Sequence, residues 1–238
     1  MCETTNNLPD NKIWRDFNRK INGKIEKFWI RTLCESEMET ALEYLSEYFL
    51  KDEPISQALK LYECEDWIIP IREYWRNVLQ QKVSLACFKN LDDGNNEMVA
   101  LSLCRVKSKE DPFLLKNGIN EKMKKMFGLF QYVYDVKDFF SEFDVDKVLV
   151  GSGLFTMPKY RGFNIGLEML HARRPLCASL GLKVSITIFT APASQRLAEK
   201  AGFKDYCSFK YEDLGRENPD FEIPDIKSEY IRLMYILY

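Results

Sequence analysis

Histidine is nearly absent: His171 is the single one in 238 residues. A serine hydrolase could recruit it, but no GxSxG is present to hold the serine. A zinc site built on several histidines is excluded, and no cysteine pair has ligand spacing. The seven cysteines include no CxxC and read as reduced, core-filling residues. His171 lies in a helical run beside Arg173 and Arg174 and reads as a helix-surface or boundary residue. Charge of one sign is also lacking, with 34 Lys+Arg against 36 Asp+Glu and a formal net charge of −2. That balance gives no reason to expect nucleic acid or an anionic membrane as partner. No apolar run is long enough to span a bilayer. The opening stretch, "MCETTNNLPDNKIWRDF", is polar without the apolar core of a secretory signal, so a cytoplasmic protein is expected. Neither GxxxxGK[ST] nor GxGxxG occurs, which disfavours a P-loop and a Rossmann dinucleotide site. There is no internal repeat and no low-complexity segment.

What is there reads as one domain of mixed strands and helices. The length favours a single unit with a core that needs no disulfides or metals. Residues 1–25 are expected to be a polar, irregular leader and residues 26–238 the domain. "EKFWIRTL" (26–33) reads as a strand. "SEMETALEYLSEYFLK" (36–51) reads as a helix, with Ser36 as cap, Glu39 closing a capping box and Pro54 as the stop. A second helix is expected over 69–82. Strands at 83–90 and 97–106 flank the hairpin turn "LDDGNN". An interrupted helix covers 119–143. A strand at 147–157, a turn, a helix, a strand at 183–189 and a short helix at 194–203 ending on Gly202 follow. Residues 206–214 and 230–238 read as late strands. The order argues α/β or α+β with one sheet.

The sharpest local signal is "PKYRGFNIGLEML" (158–170), where a strand turns into a helix. A helix start exposes unpaired amides and the positive end of its dipole, so anions bind there. Gly162 and Gly166 would let a ligand approach the backbone. The stretch fits an ordinary turn with Asn164 as N-cap equally well. Pro175, inside the following helix, is expected to kink it.

The order strand, R-G-x-x-I-G turn, helix, strand and a short helix ending in "EKAGF" resembles the core of the GNAT superfamily of acetyl-CoA-dependent N-acyltransferases. The family pattern runs Arg or Gln, two residues, Gly, one residue, then Gly or Ala. Arg161 and Gly166 match its ends, and Asn164 replaces the central glycine. Asn is the non-glycine residue that best tolerates left-handed backbone, so the turn can keep its shape. The resemblance implies a mixed, mostly antiparallel sheet flanked by helices. It also implies that the amides of Arg161, Gly162, Phe163, Asn164, Ile165 and Gly166 hold the CoA pyrophosphate. Leu154, Phe155 and Thr156 would pair with the pantetheine arm.

A narrower resemblance lies in "YFLKDEPISQAL" (48–59), which is similar to the "KDEPL" segment of insect arylalkylamine N-acyltransferases. It implies that Glu53 is a general base. That branch carries two serines four residues apart before the E-K-x-G-F helix. Those positions are Thr190 and Ser194 here, with threonine for the first serine. The resemblance covers roughly residues 28–210. The chemistry is coherent. A protonated amine cannot attack a thioester, and Glu53 could take the proton if burial raised its proton affinity. Thr190 and Ser194 could orient or pass that proton, and Ser194 could also cap its helix. A solvated acid at a helix end, beside Asp52, is the plain alternative for Glu53. The expected partner is a small-molecule amine, the expected state is a monomer, and no metal is expected. A peptide acetyltransferase and a diverged, non-enzymatic CoA binder are the other readings.

Overall fold

Asn22 and Gly23 both adopt left-handed backbone, with φ of 49° and 85°. Such a pair makes the tight turn whose twist suits a two-stranded hairpin. It joins β1 (Ile13–Ile21) to β2 (Lys24–Thr32). The structure is a computed structural model that describes residue 8 and residues 12–91, 94–111 and 121–238. It corrects the expected irregular leader: residues 13–21 are an edge strand. From Arg15 onwards exposure alternates, and the more covered positions are Arg15, Phe17, Arg19 and Ile21. Two arginines on the covered side conceal the alternation in the sequence. Phe17 stacks on Phe28 with ring centroids 5.4 Å apart, and both arginines pair with Glu168.

The helical run after β2 is built in pieces. α1 (Met38–Tyr44) passes through a π-helical turn (Leu45–Phe49) into α2 (Leu50–Asp52). Ser36 does not cap it. A 3-10 turn (Glu35–Glu37) comes first, and the Cys34 amide donates to Glu37 Oε2 at 2.9 Å. Glu39 pairs with Arg72 and Arg76 instead of closing a capping box. Pro54 ends α2 and also opens α3 (Pro54–Ala58) as its first residue. Then come α4 (Glu65–Leu79), β3 (Leu85–Asn90), β4 (Asn96–Ser108), α5 (Glu121–Asp135) and α6 (Phe139–Phe143). The expected turn "LDDGNN" includes residues 92 and 93, and the expected helix over 119–143 includes 119 and 120; these lie outside the described residues.

β5 (Lys147–Thr156), α7 (Ile165–Ser179), β6 (Val184–Phe189) and α8 (Pro192–Lys200) follow. α7 continues through Pro175 to Ser179. The expected strand over 206–214 divides into β7 (Lys204–Lys210) and α9 (Tyr211–Glu217). β8 (Tyr230–Leu237) closes the chain. Among the described residues no helix is long and apolar enough to cross a membrane.

The eight strands form one sheet in the order β1-β2-β3-β4-β5-β6-β8-β7. Every neighbouring pair is antiparallel except β5–β6. One core lies on the face covered by α1, α4 and α5, and a second lies under α7 and β1. The parallel pair positions the site. β5 and β6 pair from Leu149–Ser185 to Gly151–Thr187, and the register ends there although both strands continue. On its other side β5 stays paired with β4 as far as Thr156. The β4 register jumps from Gly151 to Gly153, so Ser152 is the extra residue of a bulge. Bulges bend a strand and re-aim side chains, and this one sits where β5 and β6 part.

Candidate active site

The parting strands open a cavity of about 600 Å³. Its rim at the end of β5 is the turn singled out from sequence. A 3-10 turn (Pro158–Tyr160) leads into it. Gly162 has φ 85° and Asn164 φ 58°, so two left-handed residues flank Phe163. Asn164 is the N-cap residue of α7 but makes no side-chain capping bond. Its contribution is backbone shape, as expected of an asparagine in place of glycine. The amides of Leu167 and Glu168 donate to the Asn164 carbonyl at 3.1 and 3.3 Å. Among the described residues, the amides from Gly162 to Gly166 donate to no carbonyl of the turn. Those are the donors a helix start leaves for an anion. A Cβ added to Gly166 would come 2.9 Å from Leu197 Cδ1, so this glycine lets α7 and α8 pack closely. Arg161 donates from Nε to the Thr156 carbonyl at 3.0 Å and pairs with Asp52 at 2.5 Å.

Glu53, next to the Asp52 that pairs with Arg161, lines the same cavity. Preceding a proline, it takes extended backbone (φ −70°, ψ 123°) and becomes the N-cap of α3. Oε2 accepts from the Ser56 amide at 2.6 Å. Oε1 is fully buried and has no hydrogen-bond partner among the described residues. Burial pushes this carboxyl above the usual carboxylate range. The Ser56 amide, the Thr190 side chain and the Ile55 amide pull the other way without cancelling it. The solvated-acid alternative does not describe this group. Thr190 lines the same cavity just beyond β6, without a hydrogen bond of regular geometry to Glu53. Ser194 lines it too, but it does not cap its helix. Ala191 is the N-cap residue of α8 and Pro192 follows it, while Ser194 Oγ donates back to the Ala191 carbonyl at 2.9 Å.

Leu154, Phe155, Thr156, Arg161, Gly162, Asn164, Ile165 and Gly166 all line this cavity with Glu53, Thr190 and Ser194. Phe163 does not; it packs on the α7 core, and its carbonyl accepts from Arg19 Nε at 2.7 Å. The overall fold recurs in solved structures. A candidate arylalkylamine N-acetyltransferase 7 of the yellow fever mosquito, Aedes aegypti, superposes with TM-score 0.90 at 29% identity over 97% of each chain. The chain is a GNAT N-acetyltransferase by fold. Arylalkylamine N-acetyltransferase 2 of the same mosquito matches with TM-score 0.76 at 21% identity, over 88% of this chain and 98% of that one. The polyamine N-acetyltransferase of Drosophila melanogaster matches with TM-score 0.72 at 18% identity, over 89% and 100%. No protein-family model and no curated protein sequence matches the chain.

In this N-acetyltransferase several cavity residues carry no sequence signal. Arg196 and Lys200, on α8, line the cavity alongside Arg161 and make its rim positive. Trp67, Tyr74 and Trp75 from α4, with Phe127 and Phe130 from α5, supply an aromatic wall. Tyr211 opens α9, in a stretch that reads as a strand. It is outside the cavity lining, its buried hydroxyl has no hydrogen-bond partner among the described residues, and its ionisation is opposed first by burial and then by the charge of Glu53. Spacing in the sequence gives no means of placing these side chains beside β5. His171 is half-buried on α7 and is not among the cavity residues. Burial and the nearby Arg15 hold its imidazole below its ordinary value.

Proposed function

We propose that the chain transfers an acetyl group from acetyl-CoA to a small arylalkylamine by direct attack, with Glu53 as general base. The buried Oε1 of Glu53, without a hydrogen-bond partner among the described residues and in the same cavity as the anion-binding turn, carries this reading. An acid that gives up its proton above the usual carboxylate range is better matched to an amine near neutral pH than an exposed one. The residues present suit acetyl-CoA as co-substrate. The amides from Gly162 to Gly166 and the cations Arg161, Arg196 and Lys200 would hold its phosphates. The unpaired edge of β5 from Ser152 to Thr156 offers backbone partners to the amide-bearing arm.

The protonated amine first loses a proton towards Glu53. Its nitrogen then bonds to the thioester carbonyl carbon, the C–S bond breaks, and the leaving CoA thiolate takes up the second proton, which the nitrogen gives up as the amide forms. Thr190 and Ser194 orient the proton on its way, and holding amine and thioester together supplies much of the rate. The aromatic wall favours a small aryl-bearing amine over an extended peptide. Purified protein incubated with acetyl-CoA and a panel of arylalkylamines should release free thiol with matching amide product. No thiol release with any amine would sink the proposal.

A further inference from the structure

The point where β5 and β6 part is held from behind. Arg173, on α7, is fully buried against the sheet. Its Nη1 donates to Thr187 Oγ1 on β6 at 2.8 Å. Its Nη2 donates to Ser102 Oγ on β4 at 2.9 Å, and Nε reaches the same oxygen at 3.3 Å. β4 and β6 flank β5, so these hydroxyls belong to strands about 10 Å apart. A forked guanidinium carries donors on both sides and can reach across that gap. Gly151 of β5 leaves the room for it: a Cβ there would lie 2.7 Å from both terminal nitrogens and would meet Thr187 Oγ1. Gly151–Thr187 is the last pair of the β5–β6 register, and the bulged Ser152 comes next. Gly151, Ser152 and Thr187 all line the cavity. Both partners of Arg173 are neutral hydroxyls. A buried charge held by neutral groups alone costs stability that an apolar side chain in its place would not. The costly side chain stands where the strands separate.

We infer that Arg173 is a positioning residue for acyl transfer: by tying Ser102 to Thr187 beneath Gly151, it fixes the gap between β5 and β6 in which the thioester is held. The inference rests on the acetyl-transfer reading above and deepens it. In that reading the phosphates lie at the turn after β5, and the amide-bearing arm runs back along the free edge from Thr156 to Ser152. The thioester end of the arm therefore comes to the strand junction. The chain runs on from Thr187 to Thr190, which lines the cavity with Glu53. The clamp thus sets the spacing between the strand that carries the thioester and the strand that leads to the proton acceptor's side. A misplacement of about 1 Å between reacting groups costs on the order of a hundredfold in rate. Arg173 touches neither substrate and acts through the two strands.

The test uses acetyl-CoA and an arylalkylamine that the unmodified protein acetylates. Arg173→Met should lower kcat by about tenfold to a hundredfold. Its KM for acetyl-CoA should stay within about threefold, because the phosphates bind at the turn. Its Tm should hold or rise, since a buried charge has been removed. Ser102→Ala removes two of the three hydrogen bonds and alters no cavity residue. It should lower kcat by a smaller factor in the unmodified background and by nothing further in Arg173→Met, as expected of two groups that act as one unit. Arg173→Lys keeps the charge but lacks the fork, so its kcat should fall between wild type and Arg173→Met. If the methionine variant does not fold, Arg173→Lys and Ser102→Ala decide the matter by the same kcat and KM readings. A kcat within about threefold of wild type in Arg173→Met overturns the clamp. So does a loss confined to KM, an additive loss in the double variant, or a fall in Tm that tracks the fall in kcat across the variants. Acetylation that survives these substitutions sinks the clamp alone, whereas an unmodified protein that acetylates no amine sinks the function on which it rests.

Discussion

Glu53 does two jobs with one carboxyl: Oε2 caps α3 through the Ser56 amide, and Oε1 is buried without a hydrogen-bond partner among the described residues. We expect Glu53→Gln to lower turnover by roughly two to four orders of magnitude, the range of general acid–base catalysis, with acetyl-CoA affinity nearly unchanged. The base acts when ionised, so kcat/KM should rise with pH along a limb lying above the ordinary carboxylate range. The glutamine variant should lack that limb. Near wild-type turnover in the variant across this range would remove Glu53 from the mechanism. The same group has a stability signature. Its folded-state proton affinity is raised by burial, so ionising it costs stability as pH rises from the unfolded value through the folded one. Glu53→Gln should therefore melt higher than the unmodified protein at alkaline pH, with the gap closing at acid pH. Asn164, left-handed at φ 58° and without a capping bond, invites the opposite kind of substitution. Asn164→Gly should bind CoA as well or better, because glycine adopts that backbone more easily. Weaker binding in a titration calorimeter would show that the asparagine side chain makes a contact of its own.

The hairpin of β1 and β2 is the element least legible in the sequence. Arg15 and Arg19 occupy covered positions of β1 and meet Glu168 of α7, which is itself 7% exposed. Burial alone would raise the Glu168 carboxyl, but the two arginines outweigh it and hold the group below its ordinary range. A carboxylate of this kind contributes stability above its unfolded value and loses it as pH falls through the folded one. Glu168→Gln should thus cost roughly 1–2 kcal/mol at neutral pH, modest because the arginines are partly solvated. That cost should shrink below the carboxylate range in chemical denaturation followed at several pH values. An equal cost at all pH values would assign the effect to packing. By contrast, α7, β6 and α8 stand close to where the sequence places them: each helix packs an apolar face on its neighbours, and β6 is a central strand of the sheet.

Across the whole molecule the cavity joins elements far apart in sequence: α2 and α3, α4 and α5, the strands β4 to β6, and the two helix starts that follow β5 and β6. A ligand that binds the folded state alone stabilises it, by about 2.7 kcal/mol at a hundred times its dissociation constant. Acetyl-CoA should therefore raise Tm. The shift should diminish as ionic strength rises, since Arg161 at the rim is exposed enough to be screened. Gly166→Val should weaken the shift, because its branched side chain would crowd Leu197 and the Thr156 hydroxyl at the start of α7. An undiminished shift in that variant would place CoA elsewhere. No shift at millimolar acetyl-CoA in the unmodified protein would undo the cofactor assignment.

By itself the sequence determined the succession of strands and helices from β2 to α8, the left-handed asparagine turn and the acid before Pro54. Each of these is written in local spacing, capping and backbone preference, which act over a few residues. Tertiary structure alone decided that Oε1 of Glu53 would be buried, that Arg196 and Lys200 would stand beside Arg161, and that Arg173 would reach β4 and β6 beneath Gly151. Those outcomes depend on desolvation and on sheet register. Both are properties of neighbours brought together across the chain, and no local pattern encodes them.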